Sequence, residues 1–140
     1  MMIALIAAAW LGAMGIFVAT VSPTVFQTLS MPDASRFLRA YFPKLFRIEM
    51  LIGVAILVAA AISDERMATA IGALIVAMAG VNYWVLTDRI NHIADALALD
   101  PDNSALKHRF GLMHGLSAGL FAIGGLGCLW ITGSTLWEIM

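Results

Sequence analysis

The chain has 140 residues, of which 61% are hydrophobic and only 12% charged, with a mean hydropathy of +0.91. Soluble domains carry about 25% charged residues, so an ordinary water-soluble domain is excluded. The net charge of −1 comes with no basic–aromatic surface for nucleic acid, and the single cysteine, Cys128, excludes an intrachain disulfide.

Four uncharged apolar runs organise the sequence. No residue before Asp33 is charged, and 51–63, 67–87 and 110–137 are also free of Asp, Glu, Lys and Arg. A helix needs roughly 20 apolar residues to cross a bilayer. The first, third and fourth runs meet that length. The second meets it when it starts near Lys44 and carries Arg47 and Glu49 at its edge. The expected fold is an all-α, antiparallel four-helix transmembrane bundle in one domain, residues 1–140. Its helices are expected at about 3–29, 33–62, 67–99 and 104–133. A cleaved signal peptide is not expected, because no basic residue precedes the first run and the run is too long for one.

Helix one carries Ala8, Gly12, Gly15, Ala19 and Pro23 on one face at about 100° per residue. Small faces let membrane helices approach closely, and Pro23 removes one backbone hydrogen bond and is expected to bend the helix. Trp10 is placed toward the outer interface. Ser30-Met31-Pro32-Asp33 reads as a helix start with a capping serine and an early proline. Helix two then passes Arg36, Arg39, Tyr41 and Phe42, is expected to kink at Pro43, and places Glu49 on one face with Phe42, Phe46 and Gly53. A short turn at 63–66 leads to helix three, which holds Asn82 and runs past Arg89. Asp100-Pro101-Asp102-Asn103 stops it, and Ser104 is the expected cap of helix four.

Helix four opens on Lys107, His108 and Arg109. Its wheel groups Gly111, His114, Gly115, Ala118, Ala122 and Gly125 on the side expected to pack. The spacing Gly111-x3-Gly115-x3-Gly119 reads as a packing seam, within the bundle or between copies of the chain. Trp130 and Trp137 suit the outer interface. Basic residues set the orientation. Arg36, Arg39, Lys44 and Arg47 flank loop one, and Arg89, Lys107 and Arg109 flank loop three. Only Arg66 lies in loop two. By the positive-inside rule loops one and three are cytoplasmic and both termini are outside.

Glu49 lies five residues inside Lys44, Asn82 six inside Asp88 and His114 five inside Arg109. At 1.5 Å per residue each sits roughly 7–9 Å below the same interface. A carboxylate, an amide and an imidazole from three helices are therefore expected to meet, with Glu49 accepting hydrogen bonds from Asn82 and His114. An ionisable group inside a bilayer is costly and marks a functional site by default, although such a layer is also explained as polar glue. A second constellation, Asp88, His92 and Asp95, follows one helical stripe. Its residue types suit a divalent metal, and its alternative is pairing with Arg36 and Arg39. Haem at His114 is a third idea, with no second histidine inside the membrane to complete it.

These residues resemble the transmembrane protein 205-like family, whose bacterial members form the domain of unknown function 4149. The resemblance rests on Gly12, Gly15 and Pro23-x-x-Phe26, on Phe42-Pro43 and Phe46-Arg47-x-Glu49, on Asn82, and on Phe110-x-x-x-His114-x-x-Ser117. It implies a small four-helix membrane protein with no established reaction, and singles out Glu49, Asn82 and His114; Ser117, in the same helix-four motif, is a further ligand-binding or proton-relay candidate. The family usually has a proline shortly after the asparagine, where this chain has Thr87-Asp88-Arg89. The expected function is non-enzymatic: an inner-membrane protein whose cytoplasm-facing polar pocket binds or helps move a small molecule, ion or proton. A haem- or metal-dependent membrane oxidoreductase, and an accessory subunit without a site of its own, are the alternatives. The bilayer itself and a second copy of the chain, through the Gly/Ala faces, are the expected partners.

Overall fold

A computed structural model describes residues 1–139, and those residues form four long helices: α1 (Met2–Thr28), α2 (Met31–Ile62), α3 (Arg66–Leu99) and α4 (Ser104–Ile139). Each is long and apolar enough to span a bilayer. The connections are too short for anything but antiparallel neighbours. Leu29 is extended and Ser30 caps α2, its hydroxyl oxygen accepting from the Asp33 N–H at 3.3 Å. Asp64, at φ 54°, turns the chain between α2 and α3; Asp tolerates this left-handed region better than most residues. The cap of α4 is Asn103, not Ser104: its Oδ1 accepts from the Leu106 N–H at 3.0 Å. Asparagine reaches back to a free amide at a helix start as well as serine does.

In lipid, helices gain little from apolar burial and associate by close contact. The closest pair is α2 with α3. A Cβ placed on Gly72 would lie 2.6 Å from the Leu57 backbone nitrogen, and one on Gly53 would lie 2.9 Å from side chains of Ile75 and Val76. Ala59 and Ala60 of α2 and Ala68 and Ala79 of α3 are buried as well. Helix α4 approaches through Gly124, Gly125 and Gly127, against Glu49, Met14 and Ile71. Of the glycines expected to pack on α4, Gly125 does, and the others do not. Gly12, Gly15, Gly111, Gly115 and Gly119 have nothing within 4 Å of a Cβ position, and Pro23 is exposed. Small size alone did not identify the face that meets a neighbour.

Two helices are not uniformly α. Phe17–Val21 in α1 and Asn82–Leu86 in α3 wind as π-turns. The first runs up to Ser22, immediately before Pro23. A proline ring crowds the carbonyl four residues earlier, here Ala19, and lacks an N–H to bond it; the wider turn is where the helix adjusts. Pro43, in contrast, lies inside an unbroken α2. Trp10 points into the bundle and is 3% exposed, edge-on to Phe121 at 6.1 Å, whereas Trp130 and Trp137 are exposed.

Replacing Gly72 with Val is expected to destabilise the bundle by about 1–3 kcal/mol, because the added atoms meet backbone rather than a movable side-chain end. Gly12→Ala, into open space, is expected to be neutral or mildly stabilising through helix propensity. Unfolding in detergent micelles, followed by circular dichroism, compares the two.

Candidate functional site

The core stripe of α2 is Leu45, Phe46, Glu49, Gly53, Ile56 and Ala60, all buried at helical spacing. Glu49 occupies a position that an aliphatic residue would normally hold, and it is 0% exposed. On α3 the stripe Ala68, Gly72, Ile75, Ala79 leads to Asn82, also 0% exposed. On α4 the buried stripe is Ser117, Gly124, Cys128 and Ile131. Three spans therefore bring a carboxyl, an amide and a hydroxyl residue into the interior.

Gly124 makes room for the carboxyl. A Cβ at that position would lie 2.9 Å from Glu49 Oε1 and 3.8 Å from Ile75 Cγ1, so the carboxyl lies directly over the α4 backbone. Neither Glu49 oxygen has a hydrogen-bond partner. Asn82 does not supply one: its Nδ2 donates to the Ser117 carbonyl at 3.3 Å, while its Oδ1 is unpaired. The Asn82 carbonyl accepts from both the backbone N–H and the hydroxyl of Thr87, the latter at 2.8 Å, closing the π-turn. A buried donor is unpaired as well, Trp10 Nε1. Rings connect this region to the basic end: Phe121 lies 6.4 Å from Phe46, and Phe42, Phe17 and Tyr41 continue the series.

The expected layer is thus altered in two respects. His114 does not join it. The residue is exposed on the outside of α4, its ring stacked on Phe110 at 5.8 Å. Glu49, Asn82 and Ser117 are buried, but they do not line an open mouth. One surface cleft is lined by Ala61, Asp64, Arg66, Thr69, Ala70 and Ala73 and a second by Pro43, Tyr83, Trp84, Thr87 and Asp88; neither borders Glu49. The stripe Asp88, His92, Asp95 is exposed and is not gathered as a ligand set. Asp95 pairs with Arg39 at 2.6 Å, and among the described residues no three His, Cys, Asp or Glu side chains converge.

Trp10 and Gly124 are parts of this region that the sequence reading missed. Gly124 had a signal: Ser117, Gly124, Cys128 and Ile131 follow a strict i, i+7, i+11, i+14 pattern, and that pattern holds the packed face. Trp10 had none, since tryptophan near a chain end is as typical of an interface as of a core.

Four apolar spans around a closed polar interior define a small helical membrane protein. The chain belongs to the family described as a domain of unknown function, DUF4149, whose model matches residues 5–98. The match takes in α1, α2 and nearly all of α3, with Glu49 and Asn82, and ends before α4 begins. No curated protein and no solved structure matches the chain.

Gly124→Ala is expected to push the Glu49 carboxyl aside and to cost about 1–3 kcal/mol. In a Glu49→Ala background the same substitution is expected to cost little. The coupling energy from a double-mutant cycle in detergent measures this contact; a coupling near zero removes it.

Proposed function

We propose that this protein works through the Glu49 carboxyl, as a non-enzymatic intramembrane site that takes up and releases a proton or a small cation. The observation that carries this reading is a fully buried carboxyl with no donor on either oxygen. A charge in such a place needs a counter-charge, and a neutral acid needs an acceptor for its O–H. Asn82 Oδ1, also unpaired and buried, has the chemistry of such an acceptor. A layer serving only as glue would pair its own side chains, and here no group of the chain donates to Glu49. In this reading Asn82 orients the site from α3, and Ser117 anchors Asn82 through its carbonyl. The interior is closed, so uptake requires a local opening, and the π-turn that begins at Asn82 is the place for it, since such turns recur at functional sites.

The reading extends to location and kinship. The basic flanks of loops one and three face the cytoplasm of a bacterial cell, the protein lies in the inner membrane, and the transmembrane protein 205-like family is the wider group to which it is related. Reporter fusions at loop two and at the C-terminus are expected to be active outside the cytoplasm, and fusions in loops one and three inside it; the reverse pattern sinks the orientation.

Infrared difference spectra across pH are expected to show a protonated-carboxyl band that comes and goes in the wild type and is missing in Glu49→Gln. Protein reconstituted in vesicles with an internal pH dye is expected to move protons or a monovalent cation, and Glu49→Gln to lose that movement. A wild-type protein without the titrating band and without flux overturns the reading.

A further inference from the structure

The second cleft, away from Glu49, has a chemistry of its own. It lies between α2 and α3 at the basic end, encloses about 320 Å³, and is lined by Pro43, Tyr83, Trp84, Thr87 and Asp88. The Arg47 guanidinium lies 5.7 Å over the ring of Tyr83, one wall of the cleft. Trp84 is 65% exposed and Asp88 is also exposed. Among the described residues neither Arg47 nor Asp88 has a salt-bridge partner, although Arg36, Arg39 and Lys107 each pair with an aspartate. One unpaired anion, Asp88, thus lines the cleft beside two aromatic rings, and one unpaired cation, Arg47, lies against the ring of Tyr83 next to it.

Their order along the membrane normal is fixed by the helices. Helix α2 goes inward from the basic end, so Arg47 is deeper than Pro43. Helix α3 comes outward toward it, so Tyr83 is deeper than Asp88, by about 7 Å over five residues. Positive charge therefore lies on the bilayer side and negative charge on the water side, at the level where Lys44, Arg47 and Arg89 mark the headgroups. A zwitterionic phospholipid has the complementary order, with phosphate next to the acyl chains and ammonium beyond it.

We propose that this cleft binds the headgroup of an aminophospholipid, with the phosphate on Arg47 and the primary ammonium on Asp88, beside the Trp84 ring. Asp88 makes the choice of headgroup. A primary ammonium donates charge-assisted hydrogen bonds to a carboxylate, and a trimethylammonium has no N–H to give. The aromatic rings alone accept either cation, so the carboxylate confers the preference. The site stands independently of the Glu49 reading, because neither Glu49 nor Asn82 borders the cleft.

The test is native mass spectrometry of the full chain, delipidated and offered equimolar phosphatidylethanolamine, phosphatidylcholine and phosphatidylglycerol with identical acyl chains. The wild type is expected to retain phosphatidylethanolamine over phosphatidylcholine by roughly tenfold, the factor that one charge-assisted hydrogen bond confers. Asp88→Asn is expected to bring the two to parity and Asp88→Glu to keep the preference. Arg47→Gln is expected to weaken all three lipids together and leave the ratio between them intact. Equal retention by the wild type, a preference that survives Asp88→Asn, or phosphatidylglycerol outcompeting both overturns the proposal. Quenching of Trp84 in vesicles by phosphatidylethanolamine with a free amine and a spin label near the top of one acyl chain, lost in Trp84→Phe, places the bound lipid at the cleft; unchanged quenching in that variant overturns the placement.

Discussion

A carboxyl group at the centre of four apolar helices is the constraint around which the rest of the bundle is arranged. Replacing one buried aliphatic side chain with Glu49 removes apolar packing and adds a group that water would otherwise solvate, at a cost of several kcal/mol for an unpaired polar group. The bundle does not answer with a donor, since Asn82 turns its amide to the Ser117 carbonyl and Trp10 Nε1 is left unpaired. It answers with space. Gly124 lets the carboxyl lie against the α4 backbone, and Gly53, one turn further along α2, brings α3 close enough to seal it from lipid. The same glycines that let these helices touch therefore define where the acid sits.

Stability and the polar interior draw on different parts of the molecule. The contacts that hold α2 to α3 are at Gly53 and Gly72 and their alanine neighbours, toward the end opposite the basic flanks. Toward the basic end the packing becomes aromatic, from Trp10 through Phe121, Phe46, Phe42 and Phe17 to Tyr41. Both π-turns also lie in this half. Ring stacks tolerate small displacements better than interlocked backbones do, because offset and edge-on geometries are close in energy. In a bundle tight at one end and ring-packed at the other, the opening that the proposed site requires would fall in the half that holds Asn82.

Much of the architecture was legible because lipid imposes a simple rule: long uncharged runs become spans, and Asp, Pro and Ser clusters end them. Glu49 and Asn82 were legible for the same reason, since a polar residue in such a run has nowhere comfortable to point except inward. His114 fails that argument. It lies near the end of its span, where a side chain on the outside of the bundle reaches the interfacial region and can stack on Phe110. The packed face of α4 lies roughly 100°, one residue's rotation, from the face centred on Gly111 and Gly115; glycine alone does not mark an interface. Gly124 is in phase with Ser117, Cys128 and Ile131 and Gly125 borders that face, whereas Gly111, Gly115 and Gly119 face open space.

The π-turns could not be read from the residues, and they explain why spacing arguments weaken beyond them. A π-turn inserts one residue into the helical count, so any wheel drawn straight through Asn82–Leu86 is out of phase from Thr87 onward. The stripe Asp88, His92, Asp95 begins just past that point, and its members follow the new phase. Asp95 meets Arg39 across the α2–α3 interface, while Asp88 is turned to the cleft beside Pro43 and Tyr83. The inserted residue therefore rotates the whole stripe relative to the span before it and leaves the spacing within the stripe unchanged. Of its two aspartates, Asp95 is paired within the chain, and Asp88 is the one that the proposed headgroup site would use.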